Sequence, residues 1–137
     1  MALALAAIAL AQPANQSSAR ERLIGAWRLV RIDSPGPDGT PTRVPQPEGI
    51  LIYTRDGHMS VQLMYPKAAG AFSNEYVKDG YEASFGGYAV DEAAHTVTHH
   101  VRGSVTRDLL VGKDLPRVYR FAEDGRLILR SAEPSEH

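Results

Sequence analysis

The sequence contains no cysteine among its 137 residues, which excludes disulfide frameworks, thiolate metal sites and a cysteine nucleophile. It also lacks an excess of either charge, since 15 Lys and Arg stand against 16 Asp and Glu for a net charge of −1. Such a surface makes no field that gathers a polyanion, so neither nucleic acid nor an anionic membrane surface is expected as the main partner. Aromatic residues make up only 7%, with a single tryptophan, Trp27. No apolar run is long enough for a stable membrane span. The longest, Met1–Ala11, falls well short of the roughly 20 residues a bilayer requires. No internal repeat or low-complexity linker divides the chain, and its length suits one small domain.

What the opening run does fit is the core of a signal peptide. Ala9-Leu10-Ala11 has the small-x-small pattern of a cleavage site, although the basic segment that usually precedes such a core is missing. The expected organisation is therefore a signal peptide over 1–11, a polar N-terminal segment over 12–22, a folded domain over 23–131 and a polar tail over 132–137. A periplasmic or secreted protein follows, or a cytoplasmic one if the run is not a signal.

Within the domain, turn chemistry separates apolar stretches. Asp56-Gly57 and Asp124-Gly125 supply the positive φ of tight hairpins, and Asp91-Glu92-Ala93-Ala94 makes a third turn. These predict strands over 49–54 and 58–64, 85–90 and 95–103, and 117–122 and 126–131. A further strand is predicted over 23–33 and a weaker one over 105–111. Prolines at 35, 37, 41, 45 and 47 make 34–48 a surface loop. One stretch reads differently. Ser73 can cap a helix, and Phe72 and Val77 stand at the positions of a hydrophobic staple, so a short helix is predicted over 73–84.

Alternate residues of a strand face opposite sides. One parity collects Trp27 and Leu29; Leu51 and Tyr53; Met59, Val61 and Leu63; Tyr88 and Val90; Val97, His99 and Val101; Tyr119 and Phe121; and Leu127 and Leu129. The other holds surface types such as Ser60, Gln62, Thr96, Thr98 and His100. An antiparallel sheet with one apolar face must close on itself or find a second layer, and for so short a chain the economical answer is closure. The expected fold is all-β, a single small up-and-down β-barrel of about eight strands with one short helix.

Gly25-Ala26-Trp27 resembles a Gly-x-Trp signature, and with LIGAWRLV (23–30), GILIYTRDGHMSVQLM (49–64), GYEASFGGYAVDEAAHTVTHHVRGS (80–104), RVYRF (117–121) and GRLIL (125–129) the chain resembles the bacterial lipocalin-like domain family. The resemblance implies a β-barrel with an interior cavity and leaves the function open, because the fold carries many roles. It also implies an arginine from a late strand against Trp27, a place for which Arg117, Arg120, Arg126 and Arg130 compete. Members tend to carry one more strand than the polar tail here provides, so an open edge is expected, through which a homodimer could form.

Trp27 reads as structural, closing one end of the core. The histidines do not suggest a metal site. His99 and His100 leave opposite faces of one strand, and His95 and His99 lie about 13 Å apart at about 3.3 Å per residue. No metal and no cofactor is expected. His99 stands out as a titratable group on an apolar face, either satisfied by a tyrosine hydroxyl or poised for acid–base work. No serine elbow or phosphate loop is present, and Glu75 and Asp79, at i,i+4 spacing, read as solvated rather than as the carboxylate pair of a hydrolase.

Two functional readings follow. In the first, a small apolar or amphipathic molecule sits in the barrel, with Leu51, Met59, Val61 and Val97 as its apolar wall and Tyr53, Tyr88, His99 and Tyr119 as polar tips. In the second, a cofactor-independent isomerase or cyclase uses the same cavity, with His99 and a tyrosine, Tyr53 being the candidate, as acid–base groups. A filled barrel with a structural role is the third outcome. Mass spectrometry of the protein from its own host is expected to show a chain beginning at Gln12; a chain beginning at Met1 contradicts the export reading.

Overall fold

Short turns fixed by glycine and aspartate dictate an up-and-down order, and the computed structural model, which describes residues 17–35, 41–43, 46–67 and 73–132, has that order. Its elements are α1 (Ala19–Leu23), β1 (Gly25–Arg28), β2 (Asp33–Pro35), β3 (Pro41–Arg43), β4 (Glu48–Tyr53), β5 (His58–Met64), β6 (Tyr81–Asp91), β7 (Thr96–Ser104), α2 (Arg107–Leu110), β8 (Asp114–Phe121) and β9 (Leu127–Ser131). Seven strands form one antiparallel sheet in the order β1-β4-β5-β6-β7-β8-β9, and β2 pairs with β3. Gly57 and Gly125 adopt φ of 94° and 86° in the first and last hairpins. In the 91–95 turn the Asp91 carboxylate accepts the Ala94 N–H at 3.0 Å.

The sheet curls so that most of its inner parity forms one core. Tyr53, Met59, Tyr88, Val97 and Tyr119 are buried there with Leu23, and Trp27, Leu51, Val61, Phe121 and Leu129 pack around them. Trp27 from the first strand and Phe121 from β8 meet with ring centroids 6.4 Å apart. Among the described residues no ladder joins β9 to β1.

Each end of the interior has its own cover. At one end sits α1, capped by the Ser18 hydroxyl, which accepts the Glu21 N–H at 3.2 Å. Arg20 of this helix donates to the Arg55 carbonyl at 2.9 Å and lies over the Tyr88 ring. Trp27 donates its indole N–H to the Leu23 carbonyl at 2.8 Å. At the other end residues 73–80 and α2 meet, where the Thr106 hydroxyl donates to the Glu75 carbonyl at 2.7 Å and Val101, Leu110, Leu115 and Tyr76 cluster.

Several expectations are corrected. Residues 73–80 are not helical, and β6 begins at Tyr81. The Asn74 carboxamide oxygen accepts the N–H groups of Tyr76 and Val77, Ser73 accepts that of Asp79, and Asp79 and Gly80 both take positive φ. Local side-chain bonding thus replaces the helical ladder. Phe72, half of the expected staple, and residues 1–11 lie outside the described residues. The weak strand over 105–111 is instead the turn containing α2, and the long first strand is divided, its start given to α1. The loop over 34–48 contains the short β2–β3 pairing.

Register shifts at Phe85/Gly86, where β6 bulges against β7. A Cβ at Gly86 would run into the carbonyl oxygen of His100, whereas at Gly87 its nearest neighbour would be the Gly57 carbonyl oxygen at an ordinary 3.5 Å. Gly86→Ala is therefore expected to lower the unfolding free energy in urea by about 1–3 kcal/mol, with Gly87→Ala nearly neutral. Equal effects would show that this close approach does not constrain the sheet.

Candidate functional site

Strand register decides which polar groups end up inside. Tyr53 on β4 pairs with Met59 on β5, Tyr88 on β6 pairs with His99 on β7, and His99 pairs with Leu115 on β8, so all these side chains share the inner face. The eight side chains expected there (Leu51, Tyr53, Met59, Val61, Tyr88, Val97, His99 and Tyr119) all lie on it. Tyr53 stands between Tyr88 and His99, with ring centroids 4.8 and 5.5 Å away. Its hydroxyl and His99 Nε2 are 2.6 Å apart and buried.

Electrostatics keeps both partners of that bond uncharged. Burial first, then the positive charge of Arg117 and the neighbouring His100, push the His99 imidazole down to about 4, so it is neutral at pH 7. Burial holds the Tyr53 hydroxyl well above the usual phenol range, against a smaller opposing pull from Arg117. The bond therefore joins an uncharged phenol to an uncharged imidazole. Tyr88 donates its hydroxyl to the Thr54 carbonyl at 2.6 Å. The other described histidines lie elsewhere: His58 and His100 are exposed beside Asp56 and Asp114, and exposed His95 packs on Tyr119.

Two charged residues join this face. Arg117 on β8 pairs with Val97 on one side and Ser131 on the other, which turns its side chain inward. The guanidinium carbon lies 5.9 Å from the Tyr76 ring centroid, and one N–H donates to the Pro116 carbonyl at 3.1 Å. Glu82 on β6 pairs with Leu63 and so also faces inward. Burial pushes its carboxyl up to about 7 against the pull of Arg117. Of the four arginines expected to compete for Trp27, Arg117 serves this cluster, Arg120 and Arg130 are on the outer face, and Arg126 pairs with Asp124. Arg22 of α1 instead covers Phe121, which touches Trp27.

Sequence reasoning missed both charged residues for different reasons. Arg117 has the parity of Tyr119 and Phe121, and that parity was the available signal. Glu82 has the parity of Tyr88, but the expected helix over 73–84 hid it.

Two open clefts, of about 370 and 250 Å³, lie against β5 and β6 and share Ser60 and Phe85 of the outer face. Of the expected lining residues, only Met59 borders the first and only Val61 the second. On the inner face the rings of Tyr53, Tyr88 and His99 are in contact, as are those of Tyr119 and Phe121.

A family model described as a lipocalin-like domain matches residues 24–136. No curated protein and no solved structure matches the chain.

The two shifted groups act oppositely on stability. His99 has a depressed folded pKa, so its contribution is full above about 6.5 and is lost as pH falls toward about 4. Glu82 has a raised one, so its contribution is present below about 4.5 and lost as pH rises through about 7. Urea unfolding of Glu82→Gln is expected to show stability climbing from pH 4.5 to 6.5, and His99→Leu to show it falling. The same slope in both variants would contradict these assignments.

Proposed function

The chain belongs to the lipocalin-like domain family, and from that premise we propose that it binds a small amphipathic molecule against the inner face of its curled sheet. The observation that carries this reading is the buried Tyr53–His99 pair, 2.6 Å apart within a mostly apolar wall. Buried polar groups cost desolvation, and hydrocarbon of the same shape often serves a purely structural core at least as well. Polar tips on an apolar wall are what orient a ligand whose affinity comes from apolar burial, at about 25 cal/mol per Å².

The acid–base alternative fits less well. An isomerase or cyclase would ask His99 to gain a proton where burial and Arg117 both oppose an imidazolium, and would ask Tyr53 to release one where burial opposes a phenolate. The pair is better suited to holding a dipole than to moving a proton.

The neutral dye N-phenyl-1-naphthylamine is expected to show one saturable site, its Kd shifted at least about threefold by His99→Leu, on the order of 0.65 kcal/mol, and unchanged by Phe85→Ser on the outer face. Binding that is lost in Phe85→Ser and indifferent to His99 would move the site to the outer clefts and overturn the proposal.

A further inference from the structure

Ile52 on β4, Ser60 on β5, Phe85 on β6 and Gly103 on β7 are successive cross-strand partners, so they form one row on the outer face of the sheet. Ser60 is short and stands between two large apolar neighbours, whose strands lie about 9.6 Å apart at about 4.8 Å per strand. The row is therefore a groove, and Ile52, Ser60 and Phe85 all line the larger of the two clefts, of about 370 Å³. A lone exposed phenylalanine means little. Phe85 is 59% exposed, but its ring covers the Gly103 backbone so closely that a Cβ there would run into Cε1 and Cζ. Folding thus seats an aromatic wall that it leaves open to solvent.

The charge beside this wall comes from an irregularity in the register. Phe85 pairs with Gly103 and Gly86 with Val101, which leaves Arg102 as the extra residue of a bulge, a device that re-aims a side chain. Arg102 is exposed and lines the same cleft. Among the described residues it makes no hydrogen bond, ion pair or ring contact. No residue lining the cleft is acidic. Of the carboxylates nearby in the sheet, Asp56 accepts the Thr54 hydroxyl at 2.5 Å and lies 3.6 Å from His58 Nε2, and Asp114 is held by His100 at 2.6 Å. The cleft combines apolar walls with a cation that no carboxylate of the groove neutralises.

We propose that this groove is a second ligand site, independent of the inner face, for a small planar aromatic acid. The ring lies between Ile52 and Phe85, over Ser60 and Gly86, which add little or no side chain. The planar fork of the Arg102 guanidinium receives the carboxylate. A flat ring suits the site better than a flexible chain, because it pairs with the Phe85 ring and loses little freedom on binding. The volume is at the small end of ligand sites and suits one or two fused rings. The charge pair is open to water, so its contribution to selectivity is modest.

The test is a titration of the ¹⁵N-labelled full chain with 2-naphthoate and, separately, with its neutral counterpart 2-naphthalenemethanol, followed by amide NMR shifts. One saturable set of shifts is expected, centred on Ser60, Phe85, Gly86 and Arg102, with the alcohol bound at least about fivefold more weakly than the acid. Arg102→Gln is expected to bring the acid down to the affinity of the alcohol, Arg102→Lys to recover part of the difference, and His99→Leu to change neither ligand. Equal wild-type affinity for acid and alcohol would overturn the proposal, as would an Arg102→Gln protein that keeps the preference. Saturable shifts centred on Tyr88, Val97 and His99 would overturn it in favour of the inner face, and no saturable shift would overturn it while leaving the inner-face reading standing. The wild-type comparison decides the matter even if a variant does not fold.

Discussion

A hydrogen bond between two uncharged side chains crosses the interior from β4 to β7, joining Tyr53 to His99 over 46 residues of sequence. The two strands are separated in the sheet by β5 and β6, so they meet only because the sheet curls. The bond and the curl depend on each other. Without the curl, two polar groups would face an apolar surface with no partner, at a cost of about 1–3 kcal/mol each. Without the bond, the inner face would have no fixed polar point. Tyr88 extends the arrangement by packing its tilted ring against Tyr53 and donating to the Thr54 carbonyl, which ties the same centre to the β4–β5 turn.

Surface charge contributes little to holding this together. The Arg55–Glu21 pair, which ties α1 to the β4–β5 turn at 2.8 Å, is well exposed on both sides and is worth about 0.2–1 kcal/mol. Burying Leu23, the last residue of the same helix and fully enclosed in the core, is worth about 1.5–3 kcal/mol. The helix is thus held by its apolar end, and its charges set its orientation over the turns. The inward charge of Arg117 has a different standing. It favours the ionised forms of Tyr53 and Glu82 and opposes an imidazolium at His99, in each case second to burial.

The fold was legible where pattern and turn chemistry agree. Asp-Gly turns fixed two hairpins, and strict alternation placed Tyr53, Met59, Tyr88, Val97, His99 and Tyr119 on one face, where the structure has them. It was not legible where two local signals compete. Ser73 and Val77 look like a helix start, but Asn74 binds the next amides itself and Asp79-Gly80 turn the chain into β6, so Glu82 reads as helical when it is an inward strand residue. Arg117 escaped for another reason. Its parity was correct, but an arginine on an inward register does not look like core until its neighbours are known. Whether the inward side chains leave space or fill it depends on ring contacts that alternation alone does not specify.

The most direct test of the central claim is ¹⁵N NMR of the His99 ring across pH 5–8. A neutral imidazole with a hydrogen-bonded Nε2, and no titration in this range, is the expected result. An imidazolium forming near pH 6.5 would mean that the ring is hydrated and unpaired, and would contradict the neutral strut on which the interior depends.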